Sequence, residues 1–161
     1  MDIVNKIFSY YESFGSKDYI GEEVTQIEHM VQAAMLAEKE NSSFEIILAA
    51  LFHDIGQLIN IEQTEKYGNK EHEKIGAEYL RNMGIPYPIP ELVYNHVKVK
   101  RYLTYKYPNY HSTLTNASKQ TLLDQGGPMS LEEATEFEND PLFEASLKIR
   151  KFDDLAKDPS I

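Results

Sequence analysis

There is no cysteine among the 161 residues. That excludes a disulfide framework and any thiolate metal site, so a metal would have to be held by His, Asp, Glu or Tyr. Such ligands suit the harder ions that take oxygen and nitrogen donors. Positive charge is scarce: 16 Lys and Arg stand against 26 Asp and Glu, a formal net charge of −10. Phosphate-backbone binding depends on clustered cations, so no nucleic-acid partner is expected. No run approaches 18 apolar residues, so no membrane span is expected either. The first residues, "MDIVNKIFSYYESF", lack the basic start and apolar core of a signal peptide, and the expectation is a cytoplasmic protein. Sustained period-two alternation is also missing, which argues against a sheet.

What remains is ordinary globular composition, 42% apolar and 26% charged, in a length that suits one domain spanning 1–161. Apolar residues recur at helical spacing, which makes the fold class all-α. Ile3, Ile7, Phe8, Tyr11 and Phe14 form one stripe ending at Gly15. Thr25 with Glu28 opens a second helix by a capping box, and Ser42 with Glu45 opens a third that stops near Gly56. Residues 60 to 70 read as a loop, and "EHEKIGAEYLRNMG" as a helix ended by Gly84. Pro90 fits the first turn of "PELVYNHVKVKRYL". Residues 104 to 116 read as an aromatic surface loop, followed by a short helix over 116 to 125. Ser130 with Glu133 starts another helix, and Asp140-Pro141 with Glu144 starts the last, reaching about Lys157.

Of the five histidines, His29, His53, His72 and His96 fall inside expected helices. A lone histidine on a helix is usually a satisfied or exposed side chain, and His111, in the aromatic loop, keeps that reading. His53-Asp54 is different, because it ends the apolar run "FEIILAALF", where an aspartate is costly to desolvate without a compensating cation. Neighbours on a helix point about 100 degrees apart, so this pair reaches one metal only at a helix end, or serves two if the carboxylate bridges. Gly56 supplies such an end.

His29, His53-Asp54 and a distant Asp153 resemble the ligand pattern of the HD-domain superfamily of metal-dependent enzymes. His72 and His96 resemble the extra ligands of its two-metal members. More closely, "DYIGEEVTQIEH", "AALFHDIG", "EHEKIGAEYLRNMG", "HVKVKRYL", "NASKQTLLDQGGPM" and "LKIRKFDD" are similar, in that order, to the mixed-valent di-iron oxygenases that cleave the carbon–phosphorus bond of 1-hydroxyphosphonates. The resemblance implies an HD-domain helical bundle holding two Fe ions as an Fe(II)/Fe(III) pair, with dioxygen as co-substrate and a small-molecule phosphonate as substrate. It gives His29, His53, Asp54 and Asp153 to one iron, and His72 and His96 to a second that Asp54 bridges. It gives Tyr19 the role of a tyrosine that substrate displaces from the first iron. It makes Lys100, Arg150, Ser118 and Thr121 phosphonate contacts, and places Glu22 and Gln57 at the far end of the substrate.

The spacing agrees in part: His96 and Lys100 are four apart and Arg150 and Asp153 three apart, so each ligand travels with a cation on its own helix face. An Arg and a Lys suit a phosphonate dianion. Relatives acting on 2-amino-1-hydroxyethylphosphonate carry a histidine where this chain has Gln57, and Gln does not titrate. Glu22 favours a cationic end such as ammonium or trimethylammonium, whereas hydroxymethylphosphonate has no such end. The competing chemistry is that of an HD-domain phosphohydrolase acting on a nucleotide or phosphate ester, against which the extra histidines and the two cations count.

Overall fold

In the computed structural model, residues 2–19, 21–59 and 70–161 are described. Among them there is no β-strand: the elements are α1 (Ile3–Phe14), α2 (Gln26–Lys39), α3 (Phe44–Phe52), a 3-10 turn (Ile55–Gln57), α4 (His72–Asn82), α5 (Ile89–Lys106), α6 (Tyr110–Thr113), α7 (Asn116–Asp124), α8 (Leu131–Glu138) and α9 (Phe143–Leu155). The fold is an all-α bundle. No described helix is long and apolar enough to cross a membrane.

Most helix starts follow from local chemistry. Thr25 with Glu28 and Ser130 with Glu133 each close a reciprocal capping box, satisfying backbone donors that a first helical turn leaves unpaired. Pro90 lies in the first turn of α5, where its missing N–H costs nothing. The third helix corrects the expectation by one residue: Ser43, not Ser42, is the cap, its hydroxyl accepting from Ile46 N. The last helix is shorter at both ends than expected. Asp140 instead caps the preceding turn, its carboxylate accepting from Leu142 N, and the helix closes at Leu155.

The expected loop over 104 to 116 is also corrected. α5 continues to Lys106, because Thr104 returns its hydroxyl to the carbonyls of Lys100 and Arg101 and so fits inside a helix, and Tyr110–Thr113 form a further short turn. The loop expected over 60 to 70 lies, apart from Lys70, outside the described residues.

α2, α3, α5 and α9 pack on one another, and α4 rests on α5 and the 3-10 turn. Ala33 and Ala37 of α2 and Ala49 and Ala50 of α3 are buried, and these small side chains let the two helices approach closely. Met30, Phe52, Leu92, Val93, Ile149 and Phe152 fill the space around them. Each large side chain so buried contributes about 1.5–3 kcal/mol. A second cluster joins α5, α8 and α9 through Tyr102, Phe137 and Phe143, whose ring centroids are 5.2–5.7 Å apart in edge-on pairs. The α2–α3–α5–α9 contacts bring four ligand-bearing helix segments to one buried point.

Candidate metal centre

α3 ends at Phe52, and the chain leaves the helical conformation at Asp54 (φ −107°, ψ 15°) before the 3-10 turn. That bend is what lets His53 and Asp54, adjacent in sequence, face the same point. Gly56 follows because a side chain there would overlap the His72 carbonyl oxygen. The turn and the start of α4 are thus in backbone contact, which brings His72 to Asp54.

The two oxygens of Asp54 face two different pairs of imidazoles. Oδ2 lies 3.4 Å from both His29 Nε2 and His53 Nε2, and Oδ1 lies 3.1 Å from His72 Nε2 and 3.3 Å from His96 Nε2. Asp153 completes the first group, its Oδ1 at 3.1 Å from His29 Nε2 and 3.5 Å from His53 Nε2. All six side chains are buried. They form two ligand sets, His29–His53–Asp54–Asp153 and Asp54–His72–His96, sharing one carboxylate.

The tautomers fit a metal. His29 Nδ1 donates to the Ala156 carbonyl at 2.8 Å, His53 Nδ1 to Ala50 at 2.7 Å and His96 Nδ1 to Val93 at 2.5 Å. A carbonyl only accepts, so in the neutral ring each Nε2 presents a lone pair to the centre. His29 Nε2 then faces His53 Nε2 at 3.0 Å, and His72 Nε2 faces His96 Nε2 at 3.0 Å. Asp153 Oδ1 is buried with no hydrogen-bond donor. Converging lone pairs and carboxylate oxygens out of water need positive charge between them. Burial lowers the His53 pKa, but Asp54 and Asp153 more than offset this and raise it well above the usual value. Burial would raise both carboxyls, yet His53 holds Asp54, and Arg150 with His53 holds Asp153, well below the usual range. Metal ions and protons compete for such groups, and N/O donors in this number suit Fe, Mn, Co or Zn.

Around the ligands, Tyr19 stacks on the His29 ring with centroids 4.2 Å apart. It sits in the turn leading to α2, which lies against α7: a side chain at Gly21 (φ +83°) would collide with Ala117. Lys100 is 3% exposed and donates from Nζ to Thr121 Oγ1 at 2.8 Å and to the Ser118 carbonyl at 3.2 Å. Burial first, and Arg150 second, push its pKa down to about 7. Arg150 pairs with Asp153 through Nη1 at 2.9 Å. Lys100, Arg150, Ser118 and Thr121 line one cavity with Tyr19, Glu22 and Gln57, and with Asp54, Asp153, His72 and His96 of the ligand sets. Every residue proposed from the sequence is therefore at or around the centre; His29 and His53 lie behind the cavity wall, and His111 stands apart from it.

Three residues escaped the sequence reading. Asp154 accepts from Arg150 Nε at 3.0 Å and Nη2 at 2.6 Å, and from the Tyr110 hydroxyl at 2.5 Å, fixing the guanidinium and tying α6 to α9. Its four-residue spacing from Arg150 was the available signal. Lys157 pairs with Glu22, Nζ to Oε1 at 3.3 Å. No local pattern announces either that pair or the Tyr110 contact.

The chain is similar to known proteins over most of its length. The HD domain model matches residues 27–133, which carry five of the six ligand candidates. The chain is 53% identical to an uncharacterised protein of Acanthamoeba polyphaga mimivirus over 96% of its own length and 72% of that protein's. It is 38% identical to the 1-hydroxy-2-(trimethylamino)ethylphosphonate dioxygenase (glycine-betaine-forming) of Leisingera caerulea, over 97% of its length and 81% of that protein's. It is 35% identical to the hydroxymethylphosphonate dioxygenase of Gimesia maris, over 96% of its length and 78% of the relative's. The chain belongs to the HD-domain family of phosphonate oxygenases.

Proposed function

We propose that this protein is a di-iron oxygenase that cleaves the carbon–phosphorus bond of a small 1-hydroxyphosphonate, using dioxygen and yielding phosphate and a carboxylic acid. The observation that carries the reading is Asp54, one buried carboxylate whose two oxygens serve two ligand sets beside a cavity that also holds Lys100 and Arg150. The activities for which the Leisingera and Gimesia relatives are named support it. In the net reaction the hydroxyphosphonate and one dioxygen become one carboxylic acid and one hydrogen phosphate. The carbinol carbon is oxidised, the C–P bond breaks, and each product gains one oxygen atom.

One iron would be held by His29, His53, Asp54 and Asp153, the other by Asp54, His72 and His96. When bound, an Fe(II)/Fe(III) pair supplies the redox chemistry by which dioxygen oxidises the carbinol carbon. The chain supplies the rest. Lys100, held by Thr121 and the Ser118 carbonyl, offers a point charge to the phosphonate. Arg150, its fork fixed by Asp154 and Asp153, offers its remaining N–H groups in a set direction. The hydroxyls of Ser118 and Thr121 add donors at the same end. Tyr19, stacked on His29, occupies the place that substrate takes and swings out when it arrives. Burial of Lys100, Arg150 and Ser118, with Tyr19 and Thr121 half-buried beside them, limits the access of water to the reacting carbon.

The test is phosphate release from a panel of 1-hydroxyphosphonates and of nucleotides by iron-loaded protein, with and without oxygen, alongside spectroscopy for a mixed-valent pair. Oxygen-dependent release from a hydroxyphosphonate is the expected result. Oxygen-independent release from nucleotides, with every hydroxyphosphonate left intact, would show an HD-domain phosphohydrolase instead.

A further inference from the structure

Glu22, one of the residues lining the cavity, is paired with a cation from beyond α9. Lys157 Nζ lies 3.3 Å from Glu22 Oε1, and the pair is largely withdrawn from water, with side chains 18% and 10% exposed. Exposed lysine–carboxylate pairs contribute little because both chains are free to swing. This lysine is fixed on both sides. The carbonyl before it, that of Ala156, accepts from His29 Nδ1 at 2.8 Å. The residue after it, Asp158, is clamped to Gln32 by two hydrogen bonds, Gln32 Nε2 to its carbonyl at 2.7 Å and its N–H to Gln32 Oε1 at 3.0 Å. The backbone around Lys157 is therefore held to α2 on both sides, by His29 and by Gln32. The turn carrying Glu22 is held as well, by the Glu22 N–H to Tyr19 carbonyl bond at 2.9 Å and by its seat on Ala117.

A carboxylate alone at the far end of the cavity would select a substrate with a cationic end. Here that carboxylate already has its cation. Gln57, which lines the same cavity, adds hydrogen-bonding capacity and no charge. A cationic substrate end must either meet a neutralised wall or displace a lysine whose backbone cannot follow it out.

We infer that Lys157 is a specificity-determining residue: by neutralising Glu22 it makes the cavity select a 1-hydroxyphosphonate whose far end is uncharged or absent, against one ending in ammonium or trimethylammonium. The inference rests on the proposed function and names the substrate class of that same site. It turns the sequence-based reading of Glu22 around, because the acid's partner comes from a part of the chain that no local pattern connects to it.

The test is anaerobic calorimetry on iron-loaded protein, so that ligands bind without turnover, with hydroxymethylphosphonate and 1-hydroxy-2-(trimethylamino)ethylphosphonate as the two probes. Wild type is expected to bind hydroxymethylphosphonate more tightly. Lys157→Met is expected to shift the ratio of the two dissociation constants roughly tenfold toward the cationic probe, the lower range of a charge-assisted contact, and Lys157→Arg to keep the wild-type ratio. A purely structural lysine would weaken both probes together and leave the ratio in place, which overturns the inference, as would a wild-type preference for the cationic probe. Failure of wild type to bind either probe would instead overturn the proposed function on which the inference stands.

Discussion

His29 Nδ1 donates to the carbonyl of Ala156 at 2.8 Å, across 127 residues of sequence. The first residue beyond α9 thereby sets which nitrogen of a helix α2 histidine faces the centre. Truncating the chain after Leu155 removes that acceptor, together with the Asp158–Gln32 clamp and the hydrogen bond that closes α9, while removing no residue from any described helix. Partners of this kind typically contribute 10–100-fold in metal affinity. The truncated protein is expected to keep its helical circular dichroism and to lose metal to a competing chelator about 10–100 times more readily; unchanged metal affinity would show that the carbonyl does not orient the ring.

Asp54 is the shared carboxylate, so its removal is expected to act on both metal positions. Asp54→Ala should yield protein with neither ion, whereas His96→Ala, which touches one ligand set, should retain metal at the other. Metal content by elemental analysis distinguishes them. Two ions per chain in the Asp54 variant would contradict the ligand assignment.

Gly56 lies where the 3-10 turn meets the first residue of α4. Gly56→Ala forces a methyl group into the His72 carbonyl oxygen, and overpacking of this kind costs about 1–3 kcal/mol. For a chain of this length each kcal/mol lowers Tm by roughly 2–4 °C. Because the strain falls on His72, the variant is expected to lose the Asp54–His72–His96 metal in preference to the other.

The helical class and the capping boxes at Thr25–Glu28 and Ser130–Glu133 were legible because they are encoded within four consecutive residues. Ser42 and Ser43 were not told apart by local spacing, since both precede an apolar helix and only the capping geometry assigns Ser43. The aromatic stretch before residue 116 read as a loop because the contact that orders it, Tyr110 to Asp154, joins positions 44 apart. The same limit hid Lys157: its partner Glu22 and its clamp Gln32 both lie far back in the chain. The metal-ligand candidates were legible as a pattern of residue types, and the charge around them only from packing.

Lys100 carries a cost in the folded protein that should be visible against pH. Its pKa falls from the ordinary 10.5 to about 7, by burial first and by Arg150 second, with Asp153, Asp154 and Asp54 acting the other way. Between those values the unfolded chain binds the proton that the folded protein has released, so stability rises with pH across that window. The penalty is therefore full below about pH 7 and gone near pH 10.5. Lys100→Met is expected to melt higher than wild type at pH 7, with the gap closing toward pH 10, while retaining metal and binding hydroxyphosphonates more weakly. A lower melting temperature at pH 7 would show that the lysine stabilises the fold.

Oxygenative cleavage of the carbon–phosphorus bond ties one dioxygen to each phosphate. Iron-loaded protein given hydroxymethylphosphonate in a sealed oxygen electrode is expected to consume one dioxygen for each phosphate released, and to stop when oxygen is exhausted. Phosphate release that continues without oxygen, or oxygen uptake without phosphate, would contradict it.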